Sequence, residues 1–209
     1  MNTNSSKGLY ILGFGGHARS IADVAILAGW NNFVFVDRNA RAGEQFHSFE
    51  VLSNFPQPIN PKWKVFPAAG DNRRRREQVD GAKAGLATVI SPQATVGLGA
   101  RIGEATLVCH GVHIGPDAYL GRGIILNTHS VIEHEVEIGD FSHISVNATI
   151  AGRARVGANV MVGAGAVLID SVTVCDNVII GAGAVVVSDI TEPGTYVGIP
   201  ARRIDKTLL

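Results

Sequence analysis

The chain is short of the residues that most often build a core or a reactive centre. Aromatic residues make up 6% of its 209 positions, and there are only two cysteines, two methionines and two tryptophans. So few large rings leave a core of aliphatic side chains. Cys109 and Cys175 each follow an aliphatic position of the repeat described below but lie eleven six-residue steps apart, which is not a multiple of three, so they fall on different faces of it. A disulfide between them is excluded on that ground, and no metal-ligand spacing involves them. An excess of charge is also missing, since 18 basic residues balance 18 acidic ones. That balance argues against nucleic acid or an anionic membrane as the main partner. The longest apolar runs, 160–169 and 178–187, are about half of what a helix needs to span a bilayer. The N-terminus has no basic stretch followed by a sustained apolar segment. No signal peptide is therefore expected, and the expected location is the cytoplasm.

What the chain does have is a repeat. From Ile90 to Val186 every sixth residue is aliphatic, without insertion, and the residue two places earlier is always Ala, Ser, Thr, Val or Ile. Gly often follows directly, as at Gly97, Gly115, Gly163 and Gly181. A fixed internal period signals a repeat architecture, and six matches neither a helix nor a simple strand. It fits a short strand and a tight turn, three of which close a triangular coil of about eighteen residues whose strands stack at roughly 4.8 Å. The aliphatic and small positions point inward, and Gly is expected where the backbone bends. The repeat predicts an all-β parallel β-helix of about five coils, each burying its core on the next.

Ahead of it, residues 8–12, 33–36 and 64–69 read as strands, with one helix running from the end of the loop 13–18 to about Ala28 and another over 73–84. This is an α/β unit of βαβ, Rossmann-like type. The predicted division is residues 1–84 for this unit and 85–209 for the β-helix with its C-terminal tail. The loop Gly13-Phe14-Gly15-Gly16-His17-Ala18 between the first strand and helix lets backbone N–H groups approach a phosphate at a helix start. Asp37, at the end of the next strand, can accept a hydrogen bond from a ribose or base. So short a unit suits a nucleotide diphosphate better than a full dinucleotide. Arg73–Arg76 reads as a solvated helix face, and 43–61 as a surface connection or flap near the glycine loop.

Within the repeat, His134 and His143 fall at outward positions. His134 lies between Glu133 and Glu135. A neighbouring carboxylate fixes the tautomer of such a histidine, which suits a general base for acyl transfer from a thioester. Gly152 is one coil further along the same edge, where its N–H could meet a developing oxyanion. His143, Gly163-Ala164 and Gly181-Ala182 are expected to stack into a column that leaves room for an extended pantetheine chain. For His110, His113 and His129 plain exposure is the expectation.

The repeat resembles that of the hexapeptide-repeat acyltransferases, which have a left-handed β-helix, usually form trimers and hold acyl-CoA between neighbouring prisms. Four stretches together resemble the NeuD/PglD-type sugar acetyltransferases over essentially the whole length. These are Gly13-Phe14-Gly15-Gly16-His17, the unbroken repeat, the run from Asn127 to Glu135, and the ending Val197-Gly198-Ile199-Pro200-Ala201-Arg202. The resemblance implies His134 as catalytic base and Glu135 as the acid that activates it. It implies acetyl-CoA as co-substrate, contacted by His143 and by Gly163, Ala164, Gly181 and Ala182. It implies Gly15, Gly16, His17, Asp37, Arg38 and Gly70 as the nucleotide-sugar site, with Asn127 near the acceptor. Arg38 departs from the acid found there in some relatives, which leaves the nucleobase open.

The expected function is N-acetylation of a nucleotide-activated amino sugar in surface-glycan biosynthesis, by a homotrimer, through direct transfer without a metal. Because the repeat has no inserted loop, the N-terminal unit must help to hold the acceptor. O-acetylation of sialic acid or another sugar hydroxyl is a second reading. A non-catalytic trimeric binding scaffold is a third, against which the outward Glu-His-Glu speaks.

Overall fold

The computed structural model describes residues 8–204. The outermost residues of both predicted units, 1–7 and 205–209, lie outside the described residues. The N-terminal unit is built on strands β1 (Gly8–Leu12), β2 (Asn32–Val36), β3 (Gln45–Phe46), β4 (Phe49–Leu52) and β5 (Lys64–Pro67). Their order in the sheet is β3-β4-β2-β1-β5, with β1 parallel to β2 and β5. Helix α1 (Gly16–Leu27) connects β1 to β2, and α2 (Asn72–Asp80) follows β5. The segment 43–61, expected as a connection, carries the β3–β4 hairpin, and β4 joins the sheet in parallel beside β2. Phe46 and Phe49 explain its order, since they pack edge-on against Phe35 and Phe33.

The repeat folds as the expected parallel β-helix with three faces. Face one contains, among others, Val89–Ile90, Ile125–Leu126, His143–Ile144, Met161–Val162 and Val178–Ile180. Face two contains Val131–Ile132, Thr149–Ile150, Val167–Leu168 and Val185–Val186. Face three contains Arg101–Ile102, Tyr119–Leu120, Glu137–Ile138 and Arg155–Val156. Register follows the sequence step, so that Ile144 pairs with Val162 and Val162 with Ile180. Inward residues such as Ile132, Ile144, Ile150 and Val162 are fully buried. Each such side chain contributes about 1.5–3 kcal/mol.

The glycine after the aliphatic position has a different reason from the one expected. A Cβ on Gly163 would stand 2.5 Å from the Ala182 nitrogen, and one on Gly115 2.5 Å from the His134 nitrogen. These glycines permit close stacking of coils. The left-handed backbone needed to turn the corner lies two residues later, at Glu135, Asn147, Arg153, Asn159 and Gly165 among others. Short polar side chains and glycine tolerate that conformation best.

The three faces differ outside. Face three presents Arg101, Tyr119, Glu137 and Arg155 to solvent. The first coils of face one are covered by the N-terminal unit, which buries the outward residues Val89, Leu107 and Ile125, whereas Ile179 further along is exposed. A single apolar core runs from the N-terminal sheet through α1 into the prism. Among the described residues, no helix is long and apolar enough to cross a membrane.

Candidate active site

The edge between faces two and three carries His134. Its Nδ1 lies 3.1 Å from Glu135 Oε2, and both side chains are substantially exposed, at 40% and 57%. Glu135 occupies a left-handed corner position, φ 58°, fixed by its N–H donating to the Pro116 carbonyl at 2.9 Å. Arg153 Nη1 stands 3.9 Å from the same Glu135 oxygen. The His134 ring lies on Gly152, where a Cβ would fall 2.6 Å from Nε2. An imidazole that donates from Nδ1 to Glu135 keeps its Nε2 lone pair free. Among the described residues, the Gly152 N–H has no acceptor within the chain.

The edge between faces one and two carries the glycine column. Gly163-Ala164 stacks on Gly181-Ala182, with the Gly183 N–H donating to the Ala164 carbonyl at 2.8 Å. His143 is not part of this column. It begins its strand on face one and stacks on Met161. The residues in line with Gly163 and Gly181 are Asn127 and Ser145, because the column follows the strand ends and His143 precedes one. Asn127 Nδ2 nevertheless reaches His143 Nε2 at 3.4 Å.

His143 faces outward from the prism but is only 8% exposed, because the N-terminal unit lies over it. The ring of His17, from α1, is 6.3 Å from that of His143, centroid to centroid. Burial first and the nearby Arg75 guanidinium second lower both histidines from 6.5 to about 4; His17 also lowers His143, while the Gly70 backbone opposes that shift. Both are neutral at physiological pH.

At the C-terminal ends of β1, β2 and β4 a cleft of about 680 Å³ opens, lined by Gly13, Phe14, Gly15, Asp37, Arg38 and Asn39. Ser53, Asn54, Phe55 and Gln57 from the hairpin exit, and Arg74, Gln78 and Lys83, complete the wall. Asp37 has a duty that the sequence did not show. Its carboxylate accepts from the Phe14 N–H and the Asn39 N–H, each at 2.9 Å, and so braces the glycine loop. The basic side chains Arg38, Arg74 and Lys83 give the cleft an excess of positive charge, which suits a diphosphate. Gly16 starts α1 and Gly70 lies near His143, so neither lines this cleft. The polar run after β4 is the one signal that could have identified Ser53, Asn54 and Gln57.

Three residues arranged like a hydrolase triad are not a second active site. Ser91 Oγ is 2.7 Å from His110 Nδ1, and His110 Nε2 is 3.1 Å from Asp23 Oδ2. Ser91 is 2% exposed and its Oγ accepts from the Gln93 N–H. The chain of bonds ties α1 to the prism, and His110 is not simply exposed. Among the described residues, no cluster of His, Cys, Asp or Glu is arranged to hold a metal.

Comparison with known proteins agrees with this layout. The PglD N-terminal domain family matches residues 8–81, and the bacterial transferase hexapeptide family (six repeats) matches 153–188. No curated protein sequence matches. Among solved structures, the acetyltransferase domain of PglB from Neisseria gonorrhoeae FA1090 is 30% identical, with a TM-score of 0.89 over 95% of this chain and 100% of that one. A mutant of GDP-perosamine N-acetyl transferase from Caulobacter crescentus, in complex with CoA and GDP-perosamine, is 30% identical, with a TM-score of 0.87 over 95% of this chain and 97% of that one. WeeI from Acinetobacter baumannii AYE shares the fold at 22% identity and a TM-score of 0.72, over 94% of this chain and 99% of that one. With both units present in the same order and similarity over almost the full length of two relatives, the chain belongs to the NeuD/PglD-type sugar acetyltransferases, within the left-handed β-helix acyltransferases.

Proposed function

We propose that this sugar acetyltransferase is an acetyl-CoA-dependent N-acetyltransferase acting on the amine of a nucleotide-linked amino sugar, in surface-glycan biosynthesis. The observation that carries the reading is the position of His134. Paired with Glu135 and lying on Gly152, it occupies one edge of face two, and the glycine column occupies the other. Residues 1–84 hold the nucleotide through Gly15, Asp37, Arg38 and the cations of the cleft, with Gly16, His17 and Gly70 toward the sugar. Residues 85–209 hold acetyl-CoA along Gly163, Ala164, Gly181 and Ala182, beside His143 and Asn127. The complex of the Caulobacter relative with CoA and GDP-perosamine supports this pairing of ligands.

The acceptor amine attacks the thioester carbonyl carbon, forming the C–N bond. His134 Nε2 takes the proton that the nitrogen loses, and the Gly152 N–H steadies the oxyanion. Collapse breaks the C–S bond, and the departing thiolate receives the proton back from His134. A homotrimer completes the site. Three prisms packed around an axis through face two bring the column edge of one chain to the His134 edge of the next. Face two is the free face suited to this, with Val131, Thr149, Val167 and Val185 half-buried on its outside. The exposed apolar residues Val146, Ile169 and Val187 flank it.

A thermal-shift panel of GDP-, UDP- and dTDP-linked amino sugars and CMP-sialic acid, with CoA present, identifies the acceptor. In the acetylation assay with the selected compound, His134→Ala should cut kcat about a hundredfold or more while CoA still binds. Unchanged turnover in that variant would remove His134 from the mechanism.

A further inference from the structure

Four consecutive arginines begin α2, and one of them behaves unlike the others. Arg73 is exposed and pairs with Glu77. Arg75, expected with the rest on a solvated face, is 1% exposed. Among the described residues, no carboxylate bonds to it. Its Nε donates to the Gly123 carbonyl at 2.6 Å, Nη1 to the Gly70 and Ala69 carbonyls at 3.0 and 3.2 Å, and Nη2 to the Phe141 carbonyl and Asn72 Oδ1 at 2.7 Å. A buried guanidinium without a counter-ion is costly and persists only where its donors are matched. Here they are matched by acceptors from two units. Gly123 and Phe141 are prism corners between faces three and one, whereas Ala69 and Gly70 end the loop after β5. Asn72 adds a second tie, donating from Nδ2 to the Val160 carbonyl of the prism at 3.3 Å.

The seam closed in this way holds His17 against His143, and among the described residues the buried nitrogens His17 Nε2 and His143 Nδ1 have no hydrogen-bond partner. Arg75 is the charged group facing both rings, and Asp71 is the charge facing Arg75. We propose that Arg75 is a positioning residue for acetyl transfer, which locks the nucleotide-binding unit over face one so that a sugar held there is delivered to the edge carrying the glycine column. This rests on the function proposed above. Two bound substrates react fast only when held in register, and a misplacement of about 1 Å costs about a hundredfold.

The test compares the nucleotide-linked amino sugar selected by the panel with the same amino sugar lacking its nucleotide, which makes no contact in the cleft at Gly15, Asp37 and Arg38. In Arg75→Lys, the ratio of kcat/KM for the linked to the free sugar should fall at least tenfold. In Asn72→Ala, which leaves the guanidinium in place, the ratio should fall about threefold. A merely structural role would lower both substrates in parallel. An unchanged ratio in Asn72→Ala, together with an unchanged ratio in Arg75→Lys or failure of that variant to fold, overturns the proposal. If the wild-type protein acetylates no nucleotide-linked amino sugar, the functional reading fails instead.

Discussion

At the scale of single residues, the clearest constraint on His134 comes from a residue without a side chain. Gly152 has no positive φ among those recorded for the glycines, so its backbone tolerates alanine. The added Cβ would still fall 2.6 Å from His134 Nε2 and 2.7 Å from Cε1. The ring must move, and since it is 40% exposed it can do so at little cost to the fold. Gly152→Ala is therefore expected to lower kcat by about a hundredfold, the usual cost of a displaced catalytic group. Its melting temperature should stay near that of the wild type. Activity and thermal denaturation measured side by side check this, and equal activity would show that His134 need not stand where it does. The tripeptide at 133–135 and the glycine one coil away were legible because the repeat has no insertion, so sequence spacing converts directly into position. The bracing of the glycine loop by Asp37 was not legible. It depends on where the Phe14 and Asn39 N–H groups point, which the sequence does not encode locally.

At the scale of elements, the prism followed from periodicity and β1, β2 and β5 from short apolar runs, while the β3–β4 hairpin and the seam between α1, α2 and face one did not. His143 looked like an exposed residue because its outward register is right and the covering unit is remote in sequence. Arg75 looked solvated because its neighbours Arg73 and Arg74 are. Only the packing of α2 against corners Gly123 and Phe141 distinguishes it. The seam has a consequence for pH. His17 and His143 are lowered from 6.5 to about 4, so the unfolded chain binds protons there before the folded chain does. Their stabilisation is complete above about pH 6.5 and is lost as the pH falls from 6.5 toward 4, by at most about 3 kcal/mol for each histidine. Melting temperatures across that window should decline in the wild type. The decline should be shallower in His143→Gln, which cannot take up the proton. Equal slopes would mean that the histidines do not govern the acid side of the stability curve.

At the scale of the whole molecule, the proposed base and the glycine column stand apart in one chain. His134 follows a strand of face two, and the column of Gly163-Ala164 and Gly181-Ala182 follows strands of face one, so base and column occupy different edges. Both edges border face two, and in the proposed threefold assembly through that face each site is made from two chains. This leads to a complementation result that a site within one chain cannot give. His134→Ala removes the base and leaves the column. Ala164→Trp, at an exposed corner, obstructs the column and leaves the base. Each variant alone should be nearly inactive. When equal amounts are unfolded and refolded together, random assembly gives interfaces in which a base-competent chain meets a column-competent one. About a quarter of all interfaces are of that kind, so about a quarter of wild-type activity should return. Mixing the folded variants without exchange should return little. Recovery in the co-refolded sample, with trimers confirmed by sedimentation, places His134 of one chain against the column of its neighbour. Trimers without recovery would place base and coenzyme in the same chain and would require a different path for the pantetheine.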